Sequence, residues 1–322
     1  MADKKKEGAY HYLFRSGELS RRAAESKELL RKCVLCPHEC SVDRSKGKLG
    51  LCRSGSLARV ASYCPHFGEE SVLVGEHGSG TIFFSGCNLR CVFCQNYEIS
   101  HPDLSGDGAG DAVTAQQLSA IMLELQAMGC HNINLVTPSH VVPQILEALV
   151  LAVPQGLSLP LVYNSSGYDS LSTLGLLDGV VDIYMPDCKF MSLDAAGRYT
   201  AAKDYPERMC EALREMNRQV GVLQVGANDL AEHGLLVRHL LMPGGRRETE
   251  LIFRFLAEEL STDTYLNIMD QYRPCGKADQ FAEIASSIGE GDYAWAMDKA
   301  RAFGLHRLDE KDWAQLLRQL FT

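Results

Sequence analysis

The residues best placed to do chemistry are three cysteines in one short segment, Cys87, Cys91 and Cys94, spaced C-x3-C-x2-C with no fourth cysteine close behind. A [4Fe–4S] cube has four irons, and full protein ligation uses four thiolates. Three thiolates leave one iron without a protein ligand, and an open coordination position is what a catalytic metal site needs. A chelating substrate can bind there and receive an electron directly from the cube. A structural zinc site or three reduced, buried cysteines are the plainer readings of such a triplet. The triplet follows directly on the apolar run Thr81–Gly86, the start of a repeating strand and helix pattern, and that context favours the open cluster.

A second group stands upstream. Cys33, Cys36, Cys40 and Cys52 supply four thiols, and Gly47 and Gly50 allow the chain to return between the last two. Four ligands make a closed site, suited to tetrahedral zinc or to a second [4Fe–4S] cluster, serving structure or an electron path. Residues 33–78 are otherwise rich in Gly, Pro and charge, so a metal would help them hold a shape. Cys64 is expected near the mouth of the site. Cys130, Cys188, Cys210 and Cys275 stand apart and read as small buried residues.

The elements that must position these residues follow from periodicity. Short apolar runs at Thr81–Gly86, Asn132–Thr137, Leu161–Ser165, Val181–Pro186, Leu235–Leu240 and Tyr265–Met269 predict strands. Helical patterns separate them. In Thr114–Gly129, Leu118, Ile121, Met122 and Leu125 share a face, Thr114 can cap the start and Gly129 the end. Glu248–Leu260 and Asp292–Phe303 are also amphipathic, and Gly17–Lys32 is rich in helix formers. The alternation predicts an α/β fold with a parallel sheet, either a partial barrel or an open doubly wound sheet, with chemistry at the C-terminal strand ends. Ser105–Gly110 reads as a flexible loop.

The 322 residues are 46% hydrophobic and carry a formal charge of −9. A sizeable core is possible, and a broad nucleic-acid-binding surface is not expected. Met1–Glu7 is charged with no apolar core behind it, and the longest apolar stretch, Val141–Tyr163, is broken by Gln144, Glu147, Pro154 and Gln155. The sequence therefore predicts a cytoplasmic protein with no membrane span, and its twelve cysteines point to metal or redox use before disulfides.

The triplet, with aromatic Phe93 before its third cysteine, resembles the signature of the radical S-adenosylmethionine superfamily. The text from Thr81 to Asn96 is similar to the pyruvate formate-lyase-activating-enzyme-like branch. The resemblance covers roughly residues 64–280 and implies a partial (β/α)6 barrel over 79–280, an N-terminal helix and cysteine-rich metal-binding extension over 1–78, and C-terminal helices over 281–322. It implies that the open iron binds S-adenosylmethionine, that electron transfer splits the sulfonium to a 5′-deoxyadenosyl radical, and that this radical abstracts a hydrogen atom.

The same resemblance supplies candidate cofactor-binding residues. Phe93 would offer a ring to an adenine. Asn164, Ser165 and Ser166 end the third strand. Asp187 and Lys189 match an Asp-x-Lys segment at the nucleoside site, with Asp187 accepting from a ribose hydroxyl and Lys189 pairing with a carboxylate. Arg238 would help hold the cofactor's carboxylate, while His239 reads as a hydrogen-bonded histidine of the barrel wall. Gln271 stands near an adenine-contacting position. Where the family has a Gly-Gly-Glu contact to the methionine part, this chain reads Asn134 to His140, leaving Thr137, Ser139 or the backbone for that contact. The implied partners are an electron donor such as flavodoxin or ferredoxin and a substrate. The substrate is a backbone glycine of a partner enzyme in one reading, and a small molecule or peptide side chain in another. A non-enzymatic iron–sulfur or zinc scaffold is the third.

Overall fold

The computed structural model describes residues 8–102 and 110–309. Most of the loop expected over Ser105–Gly110 and the end of the expected C-terminal helices, 310–322, lie outside the described residues.

Among the described residues nine strands form the sheet: β1 Ala58–His66, β2 Ser79–Phe84, β3 Asp111–Val113, β4 Ile133–Val136, β5 Leu161–Ser165, β6 Ile183–Pro186, β7 Gln224–Val225, β8 Ala231–Leu240 and β9 Tyr265–Met269. Within it β2, β4, β5, β6, β8 and β9 run parallel in that order. They are the six strands expected from the apolar runs.

The side-chain alternation of strands decides between barrel and open sheet. Outward residues such as Ile82, Leu135, Tyr163, Tyr184 and Val237 join the main core with the surrounding helices. The other parity, Val162, Ile183, Met185 and Leu236, closes on Leu73 in a separate small cluster, with Tyr265 of β9 packed against it. Strand faces that converge on one interior residue enclose a lumen, so the sheet is a partial barrel. The parallel run stays open because the free edge of β2 pairs antiparallel with β1, from Val60↔Phe84 to His66↔Ser79 with a register shift between Val60 and Ser62.

β1 is an addition to the sequence reading. The cysteine-rich stretch contributes a strand to the barrel sheet, and the short helix Ser71–Val74 that follows places Leu73 as a plug in the lumen. The helix Ala115–Ala127 begins as expected, with Thr114 and Gln117 forming a capping box, and Gly129 beyond its end has φ +89°. Among the described residues the C-terminal region contributes one α-helix, Asp292–Ala302, and no helix is long and apolar enough to cross a membrane.

Candidate active site and metal centres

The cysteine loop leaves the C-terminal end of β2 through Gly86, whose φ is +83°. A side chain there would run into the carbonyl oxygen of Cys52, so the start of this loop is pressed against the end of the four-cysteine segment. Cys91 is buried and Cys87 and Cys94 are half-buried; all three are free thiols. Two donors address their sulfurs. The Leu89 N–H points to Cys87 Sγ at 3.4 Å, and the Ser100 hydroxyl to Cys94 Sγ at 3.2 Å. Burial pushes the Cys87 thiol up to about 11 and raises Cys91 further, so neither ionises readily until a metal displaces the proton.

Around these thiols opens a cleft of about 1070 Å³, part of it continuous with solvent. Its wall includes the cofactor candidates Phe93, Asn164, Ser165, Ser166, Asp187, Lys189, Arg238 and Gln271, but not Ser139, which is fully buried away from it. Thr137 lines it too. Phe93 is 5% exposed, with its ring packed edge-on to Phe190 and near Tyr272, so little of that ring is open.

The polar floor is built around Arg238. Its Nε donates to Asp187 Oδ1 and its Nη2 to Asn164 Oδ1, both at 2.8 Å, while Lys189 Nζ donates to Asp187 Oδ2 at 2.5 Å. Burial alone would raise the Asp187 carboxyl, but Arg238 and Lys189 outweigh it and hold it below the usual carboxylate range. Burial works against the charge of Lys189 and Arg238 in turn, and Asp187 reverses this, leaving both bases firmly protonated.

Sequence reasoning missed what lies beneath Arg238. Glu69 and Glu70, in the turn between β1 and the plug helix, reach into the lumen 3.8 and 4.0 Å from the guanidinium. Glu70 accepts from Asn267 Nδ2 of β9 at 2.8 Å, and its Oε2 has no hydrogen-bond partner among the described residues. Burial pushes its carboxyl up to about 7, with the neighbouring Glu69 adding to a rise that Arg238 only partly offsets. Asn88 was also missed. It donates to the Tyr168 carbonyl at 2.5 Å and accepts from Ser166 Oγ at 3.2 Å, while its own carbonyl meets His38 Nε2 at 2.8 Å. One residue between two cysteines thus ties the loop to the end of β5 and to the upstream segment.

That upstream segment packs on the barrel loops. Cys33, Cys36, Cys40 and Cys52 line one small cavity of about 280 Å³ together with His38, Arg44, Asn88 and His140. Arg44 is 1% exposed; it donates to the His140 carbonyl at 2.8 Å and approaches Cys33 Sγ at 3.8 Å. Cys40 Sγ lies so near Gly50 that a Cβ there would be 2.6 Å from it. Burial raises Cys36 and Cys40, and each thiol's rise is increased by its neighbours in the group.

Among the described residues no three His, Cys, Asp or Glu side chains gather around a point suited to one ion. A cube is held differently, since each thiolate binds its own iron and the sulfurs surround a body. Three free thiols lining the cleft fit that donor set, and four thiols lining one small cavity fit a fully ligated centre.

His239 is the buried wall histidine expected, bonded to the Cys188 carbonyl at 2.7 Å and to Thr249 Oγ1 at 2.9 Å. Cys64 is exposed on β1 and is not among the cleft-lining residues, contrary to its expected place; it lies past a bulge in β1, in a run where Ser62, Tyr63 and Cys64 are all exposed. Cys188 is fully buried in the core.

No family model matches the chain. It is 29% identical over 283 residues to the uncharacterised protein MJ0674 of Methanocaldococcus jannaschii, which covers 87% of this chain and 77% of that one. Among solved structures it is similar to SuiB of Streptococcus suis bound to the precursor peptide SuiA (TM-score 0.48, 11% identity, 74% of this chain and 50% of that one). It is also similar to anSMEcpe with bound AdoMet (TM-score 0.47, 12% identity, 68% of this chain and 57% of that one). The chain spans about half the length of these two structures.

Proposed function

We propose that this chain is a radical S-adenosylmethionine enzyme, holding a [4Fe–4S] cluster on Cys87, Cys91 and Cys94. The observation that carries the reading is that these three thiols and the Asp187–Arg238 pair, far apart in sequence, line one cleft at the C-terminal ends of the parallel strands. Cys87, Cys91 and Cys94 would hold the cluster and Asp187 and Arg238 would face the S-adenosylmethionine, and together these groups would supply one-electron reductive cleavage of the sulfonium and hydrogen-atom abstraction from a substrate.

The chain's own residues bind and orient. Arg238 is fixed by Asp187 and Asn164 before any ligand arrives, so its charge is available to a carboxylate at little ordering cost. Asp187 stays ionised and keeps lone pairs for a ribose hydroxyl. Ser165 and Ser166 add polar contacts, Gln271 marks the rim, and Phe84, Leu89, Leu240 and Met269 supply apolar wall that limits water.

The target we propose first is a glycine of a partner enzyme; a small molecule or peptide side chain is the alternative. The four upstream cysteines hold a second iron–sulfur cluster in our reading, with zinc as the other candidate. The enzyme would be cytoplasmic and draw its electron from a protein such as flavodoxin or ferredoxin. The test is anaerobic reconstitution, reduction and chromatography for 5′-deoxyadenosine. Product is expected; its absence with a full, reducible cluster would mean a non-enzymatic scaffold. Deuterium transfer from labelled glycine peptides into deoxyadenosine then separates the substrate readings.

A further inference from the structure

Behind the cysteine loop lies a second concavity of about 1010 Å³, open to solvent, that none of the chemistry above uses. The short helix Tyr97–Ser100 separates the two. Ile99 and Ser100 line the active cleft, while Tyr97 and the following His101 line this one, their rings stacked at 4.2 Å. The remaining wall is Gly50, Leu51, Arg53, Arg90, Val92, Pro102 and Lys277.

Three properties set the surface apart. First, it holds three cations, Arg53, Arg90 and Lys277, and none of them forms an ion pair with a carboxylate among the described residues. On a chain of net charge −9 this is a localised positive basin. Second, an apolar side chain, Leu51, lies in it 36% exposed, giving the mixture of apolar centre and Arg-rich surround found at protein interfaces. Third, its position is specific. Leu51 and Arg53 flank Cys52, and Arg90 and Val92 flank Cys91, so the basin touches the chain beside a ligand of each candidate metal centre. Arg90 also joins the two segments by donating to the Leu51 carbonyl.

We infer that this basin is the docking surface for an acidic one-electron donor protein of the flavodoxin or ferredoxin type. The inference rests on the proposed radical chemistry, which needs an electron delivered from outside. One electron leaves the reduced donor and enters the metal centre held by this chain; the donor is oxidised by one electron, no bond changes and no proton must move. A carboxylate-rich rim on the donor would answer Arg53, Arg90 and Lys277, and its prosthetic group would sit over both cysteine segments.

The test pairs binding with two ways of supplying the electron. An acidic bacterial flavodoxin and an acidic ferredoxin are titrated into the reconstituted enzyme by calorimetry at low and physiological ionic strength. Deoxyadenosine formation is then driven either by the reduced donor or by photoreduced deazaflavin, which needs no docking. For the double reversal Arg53→Glu with Lys277→Glu, both at exposed positions, donor affinity is expected to fall about tenfold or more. Wild-type affinity should weaken with salt, and deazaflavin-driven product should stay unchanged. The milder pair Arg53→Ala with Lys277→Ala should fall between. Unchanged donor affinity in the reversed variant, or failure of both donors to bind the wild type, overturns the docking surface. Inorganic phosphate binding lost in the same variants while neither donor binds would assign the basin to a small anion instead. Loss of product with deazaflavin in the wild type would sink the catalytic reading itself, a separate outcome.

Discussion

Arg238 Nε meets Asp187 Oδ1 at 2.8 Å where β8 and the end of β6 bridge, just as the lumen opens into the cleft. The guanidinium also holds Asn164, so three strand ends are fixed through one side chain. Breaking a buried pair leaves the partner uncompensated, at a cost of about 3 kcal/mol or more. Arg238→Leu should therefore lower stability by about that much in urea unfolding. The milder Arg238→Lys keeps the charge but loses the fork, and equilibrium dialysis should show S-adenosylmethionine binding weakened by about tenfold or more. Unchanged affinity in the Lys variant would remove Arg238 from the cofactor's carboxylate.

Beneath that pair, Glu70 gives the fold a pH signature. Its carboxyl lies near 4.5 when exposed and about 7 in the folded chain. Between those values the folded state keeps a proton that the unfolded state has lost, so this residue's contribution declines as pH rises through the window. The buried imidazoles of His140 and His239, both held down at about 4 by burial, act oppositely and remove stability as pH falls below 6.5. In Glu70→Gln the first slope disappears and the second remains. Its stability relative to the parent should improve between pH 5 and 8, by on the order of 1 to 3 kcal/mol. Denaturant unfolding across that range checks it; a parallel offset at all pH values would mean Glu70 titrates normally.

What the sequence made legible divides by how local the signal is. The cysteine triplet declares itself because its ligands lie within one loop. Asn164, Asp187 and Arg238 were named through the family resemblance, and the strand ends that carry them line one cleft. β1 escaped because it lacks a regular apolar face: past its short pairing with β3 at Ala58, Arg59 and Val60, the residues Ser62, Tyr63 and Cys64 are all exposed. Glu69 and Glu70 read as surface charge. Only the turn that carries Leu73 into the lumen buries them beside Arg238, and no local pattern announces a contact across so much chain. Asn88 was hidden for a related reason: its partners come from β5 and from the upstream cysteine segment.

Ser100, at the end of the short helix Tyr97–Ser100 that follows Cys94, donates to its sulfur at 3.2 Å and meets His101 Nδ1 at 2.8 Å. Hydrogen bonds to ligand sulfurs stabilise the more negative, reduced cluster and raise its potential. Ser100→Ala removes one neutral donor worth about 1 kcal/mol, or about 40 mV for one electron. An anaerobic redox titration followed by electron paramagnetic resonance should show the midpoint moving down by about that amount, with iron content unchanged. A midpoint that does not move would mean the hydroxyl turns away once the metal is bound.

The four upstream cysteines line one small cavity, and Arg44 secures their segment to the barrel through the His140 carbonyl. A centre ligated by all four needs nothing from the active cleft, so the two sites should load independently. Replacing Cys33, Cys36, Cys40 and Cys52 with alanine should then remove about four irons and four sulfides per chain and leave the triplet's cluster spectroscopically intact. Loss of a single zinc at constant iron would identify the site as zinc. Because metal affinity becomes folding energy where the segment has little apolar core, the same variant should lose protease resistance first within residues 33–57. Full retention of both metals and protease resistance would show that these four thiols bind nothing.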